Sequence, residues 1–118
     1  MGPGLDYRSK IVIKEKEFIR RISGDCRIRH RHIRFKTKIT QFSVQLEVFS
    51  KDKWSPVVRY DTAHGIAHRD LIHYSGEVSK TPILCLNYND ALVFAESDLI
   101  SNWENYRKMF IDEVNKNE

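Results

Sequence analysis

The sequence predicts an α+β fold: a curved antiparallel β-sheet of four to six strands packed on one long C-terminal α-helix. Three observations carry that expectation. Residues 41–49 alternate strictly, with Phe42, Val44, Leu46 and Val48 on one side and Gln41, Ser43, Gln45 and Glu47 on the other, the period of a half-buried strand. Leu92, Ala95, Leu99, Trp103, Tyr106, Phe110 and Val114 recur at spacings of three and four, the period of a helix with one apolar face. The chain has 118 residues, 41% of them hydrophobic, enough for one core that needs no disulfide or metal staple. A single domain over residues 5–115 follows, with frayed ends at residues 1–4 and 115–118.

Taken in order, residues 8–22 fit two templates. Ile11, Val12 and Ile13 favour a strand, while Ile11, Glu15, Phe18 and Ile22 fit a helical stripe; strand is preferred. Residues 27–36 place Arg at positions 27, 29 and 31, an alternation that again suggests a strand. After the strand at 41–49, Ser50-Lys51-Asp52-Lys53 reads as a turn, and Trp54, Val58 and Tyr60 alternate in the second arm of a hairpin. Pro56 has no N–H to give a ladder, so it belongs at an edge or a bulge. A strand is expected over 68–74, a turn at Ser75-Gly76, and a further short strand over 83–86 after Pro82. The helix is expected from about 88 to 115, with Asn87 and Asp90 in a capping arrangement and Arg107, Lys108 and Lys116 toward its negative end. Trp103, Tyr106 and Phe110 read as the face packed on the sheet.

Composition narrows the function classes. The longest apolar runs, residues 83–86 and 91–95, are far below the roughly 18 residues of a membrane span. No signal-peptide core follows the N-terminus, so the chain reads as cytoplasmic. Cys26 and Cys85 lie far apart with no CxxC pair, which suits two reduced, at least partly buried thiols and excludes a cysteine-based zinc site. The charge is regional: residues 1–40 carry +8, residues 41–80 carry 0 and residues 81–118 carry −4. Arg27, Arg29, Arg31, Arg34 and Lys36 form a cationic stripe suited to phosphates, with Phe35 as a stacking platform; the same charges also suit a solvated edge strand.

The segment richest in reactive side chains is residues 59–73. Arg59 and Asp61 stand two apart and share a strand face, about 7 Å from each other. His68 and Asp70 share a face in the same way. Gly65 permits a sharp turn that would bring His64 back over the strand end. Arg59, Asp61, His64, His68 and Asp70 therefore form a candidate catalytic cluster, with Tyr60 and His73 nearby. Paired histidines can divide general base and acid roles, a carboxylate can fix a tautomer, and an arginine can stabilise a phosphorane. Those are the parts of a metal-independent ribonuclease. A divalent metal held by His64, His68 and Asp70 is the alternative chemistry, and ion pairing without chemistry is the third reading.

The run W-x-P-V-V-R-Y-D-T-A-H-G-x-A-H-R-D over 54–70, with Leu92, Ala95, Asp98 and the 102–107 stretch, resembles an uncharacterised prokaryotic family of small proteins sharing the RYDTAHG and HRD blocks. More distantly, R-x-D-T-A-H with its following His is similar to TumE-like toxins of type II toxin-antitoxin systems, with Thr62 where those toxins tend to have Asn. That resemblance implies correspondence of Arg59, Asp61, His64 and His68, a toxin-like, nucleic-acid-directed activity and an antitoxin protein as partner. Two functions from different classes follow: a toxin-like ribonuclease, or a non-enzymatic nucleic-acid- or protein-binding module. RNA is the expected polyanion and a homodimer is compatible with either; neither needs a cofactor or a membrane.

Overall fold

The computed structural model describes residues 13–117. In chain order it contains β1 (Lys14–Arg21), β2 (Cys26–Phe35), β3 (Lys38–Ser50), β4 (Lys53–Asp61), β5 (His68–Ile72), β6 (Val78–Pro82) and α1 (Tyr88–Lys116). The six strands form one sheet in the order β1-β2-β3-β4-β5-β6, every neighbour antiparallel. This is the α+β architecture expected from the sequence. Residues 5–12 of the expected domain, including Ile11 and Val12, lie outside the described residues, as do the expected frayed residues 1–4.

The helix covers one face of the sheet. It packs on β3, β4 and the beginning of β2, and the alternating apolar residues meet it: Cys26 and Ile28 from β2, Phe42, Val44, Leu46 and Val48 from β3, Val58 and Tyr60 from β4. Ala91, Leu92, Ala95, Leu99, Phe110 and Val114 answer from α1. β1 lies at the sheet edge, outside the helix's main contacts, so all eight of its residues are exposed although it is a strand, as preferred.

Each turn has a local cause. Lys51 and Asp52, at φ 55° and 64°, make the two-residue left-handed turn whose twist suits a tight hairpin between β3 and β4. Pro56 uses both tolerances available to it: the β3–β4 register shifts between Leu46 and Glu47, and β5 pairs only with residues 58–61 of β4. Asn87 caps α1, its Oδ1 accepting from Asp90 N–H at 2.8 Å. The helix then runs 29 residues, to Lys116, so Asn115 and Lys116 belong to it rather than to a frayed tail.

Three expectations need correction. The strand after Gly76 is the polar Val78–Pro82, not 83–86. The tight turn at Gly76 (φ 97°) sets the register from Ile72↔Val78 onward, and β5 has run out by Pro82. Beyond it Leu84 and Leu86 are 96% and 95% exposed. Of the two thiols, Cys26 is buried, which pushes its pKa up to about 11, but Cys85 is exposed. Trp103 and Tyr106 pack against the core only in part, while Phe110 is fully buried. Trp103→Ala is therefore expected to cost about 2 kcal/mol, less than the ~3–5 kcal/mol of a fully enclosed aromatic; a denaturant melt checks this. Among the described residues no helix is long and apolar enough to cross a membrane.

Candidate functional site

The face of the sheet turned away from α1 carries the polar half of the β3 alternation and the residues paired with it. Strand register fixes two rows across it. One runs Arg29, Gln45, Arg59, Asp70, Lys80, each opposite the next; the other runs Glu17, Arg31, Ser43, Asp61, His68. Arg59, Asp61, His68 and Asp70 thus share this open face, as their two-residue spacings predict. The Arg27, Arg29 and Arg31 row lies on it as well.

At the β4–β5 end the side chains converge. His68 Nε2 lies 3.0 Å from Asp61 Oδ1 and 3.6 Å from Asp70 Oδ1, while His68 Nδ1 lies 2.9 Å from the carbonyl oxygen of Ile66. A carbonyl only accepts, so Nδ1 carries the proton and donates it, and Nε2 is the atom turned toward both carboxylates. Asp61 is held in turn by the Ala63 N–H at 3.1 Å, and Asp70 Oδ1 accepts from Lys80 Nζ at 2.8 Å. His68 and Asp70 are buried at 6% and 7% exposure. Thr62 closes the end of the β3–β4 ladder: its N–H donates to Phe42 O, and its Oγ1 accepts from Phe42 N–H at 3.1 Å.

His64 does not join this cluster. Residues Ala63–Gly65 form one short helical turn in which His64 has φ 66° and an exposed side chain. The turn does form at Gly65 (φ 80°), but it projects the imidazole outward instead of back over the strand. His64 lines a separate groove of about 520 Å³ with Arg31, Gln41, Asp61 and Tyr88. The three potential ligands that converge are Asp61, His68 and Asp70, with Asp61 in the place expected for His64. Tyr60 and His73 also lie apart: Tyr60 points under the helix, and His73 Nδ1 bonds Glu113 of α1 at 2.8 Å.

The arginine row is not a bare cationic surface. Arg27 and Arg29 donate through Nε to the two oxygens of Glu47, at 2.6 and 3.1 Å, Arg31 donates through Nε to Glu15 at 2.7 Å, and Arg59 through Nε to Gln45 at 2.7 Å. Burial opposes the charge on Glu47, yet the hydrogen bonds from Arg27, Gln45 and Arg29 outweigh it and hold the carboxyl below its usual range. Among the described residues the terminal amino groups of Arg27, Arg29, Arg31 and Arg59 make no hydrogen bond. Arg27 also stacks its guanidinium 4.0 Å from the centre of the Trp54 ring. The register shift between Ile33 and Arg34 ends the row, leaving Arg34, Phe35 and Lys36 exposed at the β2–β3 tip, where Lys36 Nζ lies 5.5 Å from the Phe35 ring.

Two further clusters lie beneath the sheet, and neither was expected as a site. Asp98 Oδ2 accepts from Tyr60 Oη at 2.7 Å and Tyr106 Oη at 2.6 Å, and Oδ1 accepts from Asn102 Nδ2 at 2.7 Å. Arg69 adds a bond to Tyr106 Oη at 3.3 Å, while its buried Nε has no partner. Burial and then the Asp98 hydrogen bond raise both tyrosine pKa values. The second cluster is His30 Nε2 against His32 Nδ1 at 2.7 Å, with His30 Nδ1 3.3 Å from Glu96. Burial first, then the charges of His32 and Lys16, depress the pKa of His30. A histidine depressed in the folded state contributes stability that is present above its unfolded value of about 6.5 and lost as pH falls through the lower folded value. Melting temperature is expected to decline on acidification below about pH 6.5, and a His30→Phe chain to lose part of that slope; an unchanged slope rejects the assignment.

No curated protein and no solved structure matches the chain. The family described as DUF7718, domain of unknown function, matches residues 13–116, the whole of the sheet and the helix. By that match the chain belongs to the DUF7718 family.

Proposed function

We propose that the chain is a non-enzymatic, nucleic-acid-directed binding module that meets a phosphate backbone with the helix-free face of its sheet. One observation carries this reading: Arg27, Arg29, Arg31 and Arg59 are each fixed through Nε, so their terminal amino groups are held ready for anions. A guanidinium anchored in this way loses little rotamer freedom when it binds phosphate. Phe35 and Lys36 stand exposed beyond this row at the β2–β3 tip, with Arg34 beside them. The buried histidine of the cluster argues against proton transfer, since one ring nitrogen faces a carbonyl and the other two carboxylates.

The test is binding to a single-stranded RNA across a salt series. Affinity is expected to fall with a log–log slope of about −0.7 per phosphate contact. Arg29→Ala, Arg31→Ala and Arg59→Ala together should reduce that slope by about 2. Absence of binding at about 50 mM salt, or a triple variant with the parent's slope, rejects the reading.

A second reading, a toxin-like metal-independent ribonuclease neutralised by an antitoxin protein, has one observation in its favour. Arg31, Asp61 and His64 line the same groove, where the exposed imidazole is accessible to a ribose hydroxyl. It predicts that the purified chain cleaves RNA and that His64→Ala abolishes cleavage without changing the melting temperature.

A further inference from the structure

We infer that Asp61, His68 and Asp70 form a binding site for one divalent transition-metal cation of the zinc type. The three donors are His68 Nε2 and one carboxylate oxygen from each aspartate, all lying within 4.8 Å of one another. The separations of 3.0 and 3.6 Å from Nε2 to the two oxygens bracket the edges of a polyhedron around an ion bonded to each donor at ~2.1 Å. The imidazole is oriented from outside the cluster. Its Nδ1 proton is committed to the carbonyl oxygen of Ile66, the arrangement that presents Nε2 as a ligand.

Within that tautomer Nε2 is an acceptor facing two acceptors. His68 is more than nine-tenths buried, and no donor among the described residues reaches its Nε2. A cation between Nε2 and the two oxygens satisfies all three atoms together, whereas a proton on Nε2 can serve at most one of them, with Asp61 at 3.0 Å and Asp70 beyond hydrogen-bond length at 3.6 Å. Three protein donors are one short of the four of a closed tetrahedral site, so a water or other small ligand would complete the coordination. Imidazole with carboxylates suits zinc or manganese.

Lys80 is the built-in competitor. Its ammonium lies 2.8 Å from Asp70 Oδ1, the same oxygen assigned to the metal, and its side chain is 59% exposed, so it can turn into solvent when an ion arrives. Removing it should therefore tighten metal binding, which ion pairing alone does not predict.

Calorimetric titration of the chelator-treated full chain with zinc chloride, without nucleic acid, tests the site. One equivalent is expected to bind and to raise the melting temperature. His68→Gln and Asp70→Asn should abolish that uptake, and His64→Ala should leave it unchanged. Lys80→Ala should bind zinc about two- to fivefold more tightly, the worth of an exposed ion pair. No uptake by the parent, or uptake that survives His68→Gln, overturns the site and leaves His68 as an imidazolium in an ion-pair network. If the His68 and Asp70 variants fail to fold, Lys80→Ala decides: binding no tighter than the parent's overturns the assignment.

Discussion

Glu47→Ala is expected to cost about 3 kcal/mol, roughly 10–15 °C in melting temperature for a domain of this size. Glu47 is 5% exposed and accepts from Arg27, Arg29 and Gln45, so its removal strands two guanidiniums over the centre of the sheet. Breaking a buried pair from one side usually costs ~3–5 kcal/mol. The lower end applies because the Arg29 side chain is 46% exposed and recovers solvation. The pH dependence has a definite sign. The Glu47 carboxyl is held below its usual range in the fold, so its contribution is present above an unfolded value of about 4.3 and is lost as pH falls through the lower folded value. Acid melts of the parent and of Glu47→Gln should therefore converge at low pH. A Glu47→Ala chain that melts within a degree or two of the parent would refute the anchoring role on which the arginine row depends.

Asp98→Ala is expected to cost roughly 2–6 kcal/mol, because each hydroxyl left without an acceptor costs about 1–3 kcal/mol and two are affected. Tyr60 is the more demanding, being 2% exposed with its Oη on Asp98 Oδ2. Asp98→Asn should cost less, since the amide oxygen still accepts. The mechanism is separable from loss of helix packing by a double-mutant cycle. In a Tyr60→Phe background the Asp98→Ala cost should shrink, because one of the two stranded donors is already gone. Strictly additive costs would show that the network is not the source of the stabilisation.

Much of the fold was legible because its determinants are local. A period of two set β3 and the β3–β4 hairpin, a period near 3.6 set α1, and Asn87 with Asp90 marked the helix start. The same local period placed Arg59 with Asp61 and His68 with Asp70 on common faces. It could not show that residues 78–82 pair instead of 83–86, since an exposed edge strand needs no apolar face and carries none.

The sequence by itself determined the fold class, the polar face and most of the side chains on it. Tertiary structure decided which of them meet. The Asp61↔His68 pairing puts Asp61 beside the imidazole while the positive φ of His64 turns that ring away. Glu47 closes on Arg27 across 20 positions, and Asp98 on Tyr60 across 38. The physical reason is that periodicity assigns a side chain to a face at the level of the single strand or helix. Distances between side chains on that face depend on cross-strand register, bulges and where the helix lies, which are set by packing between distant parts of the chain.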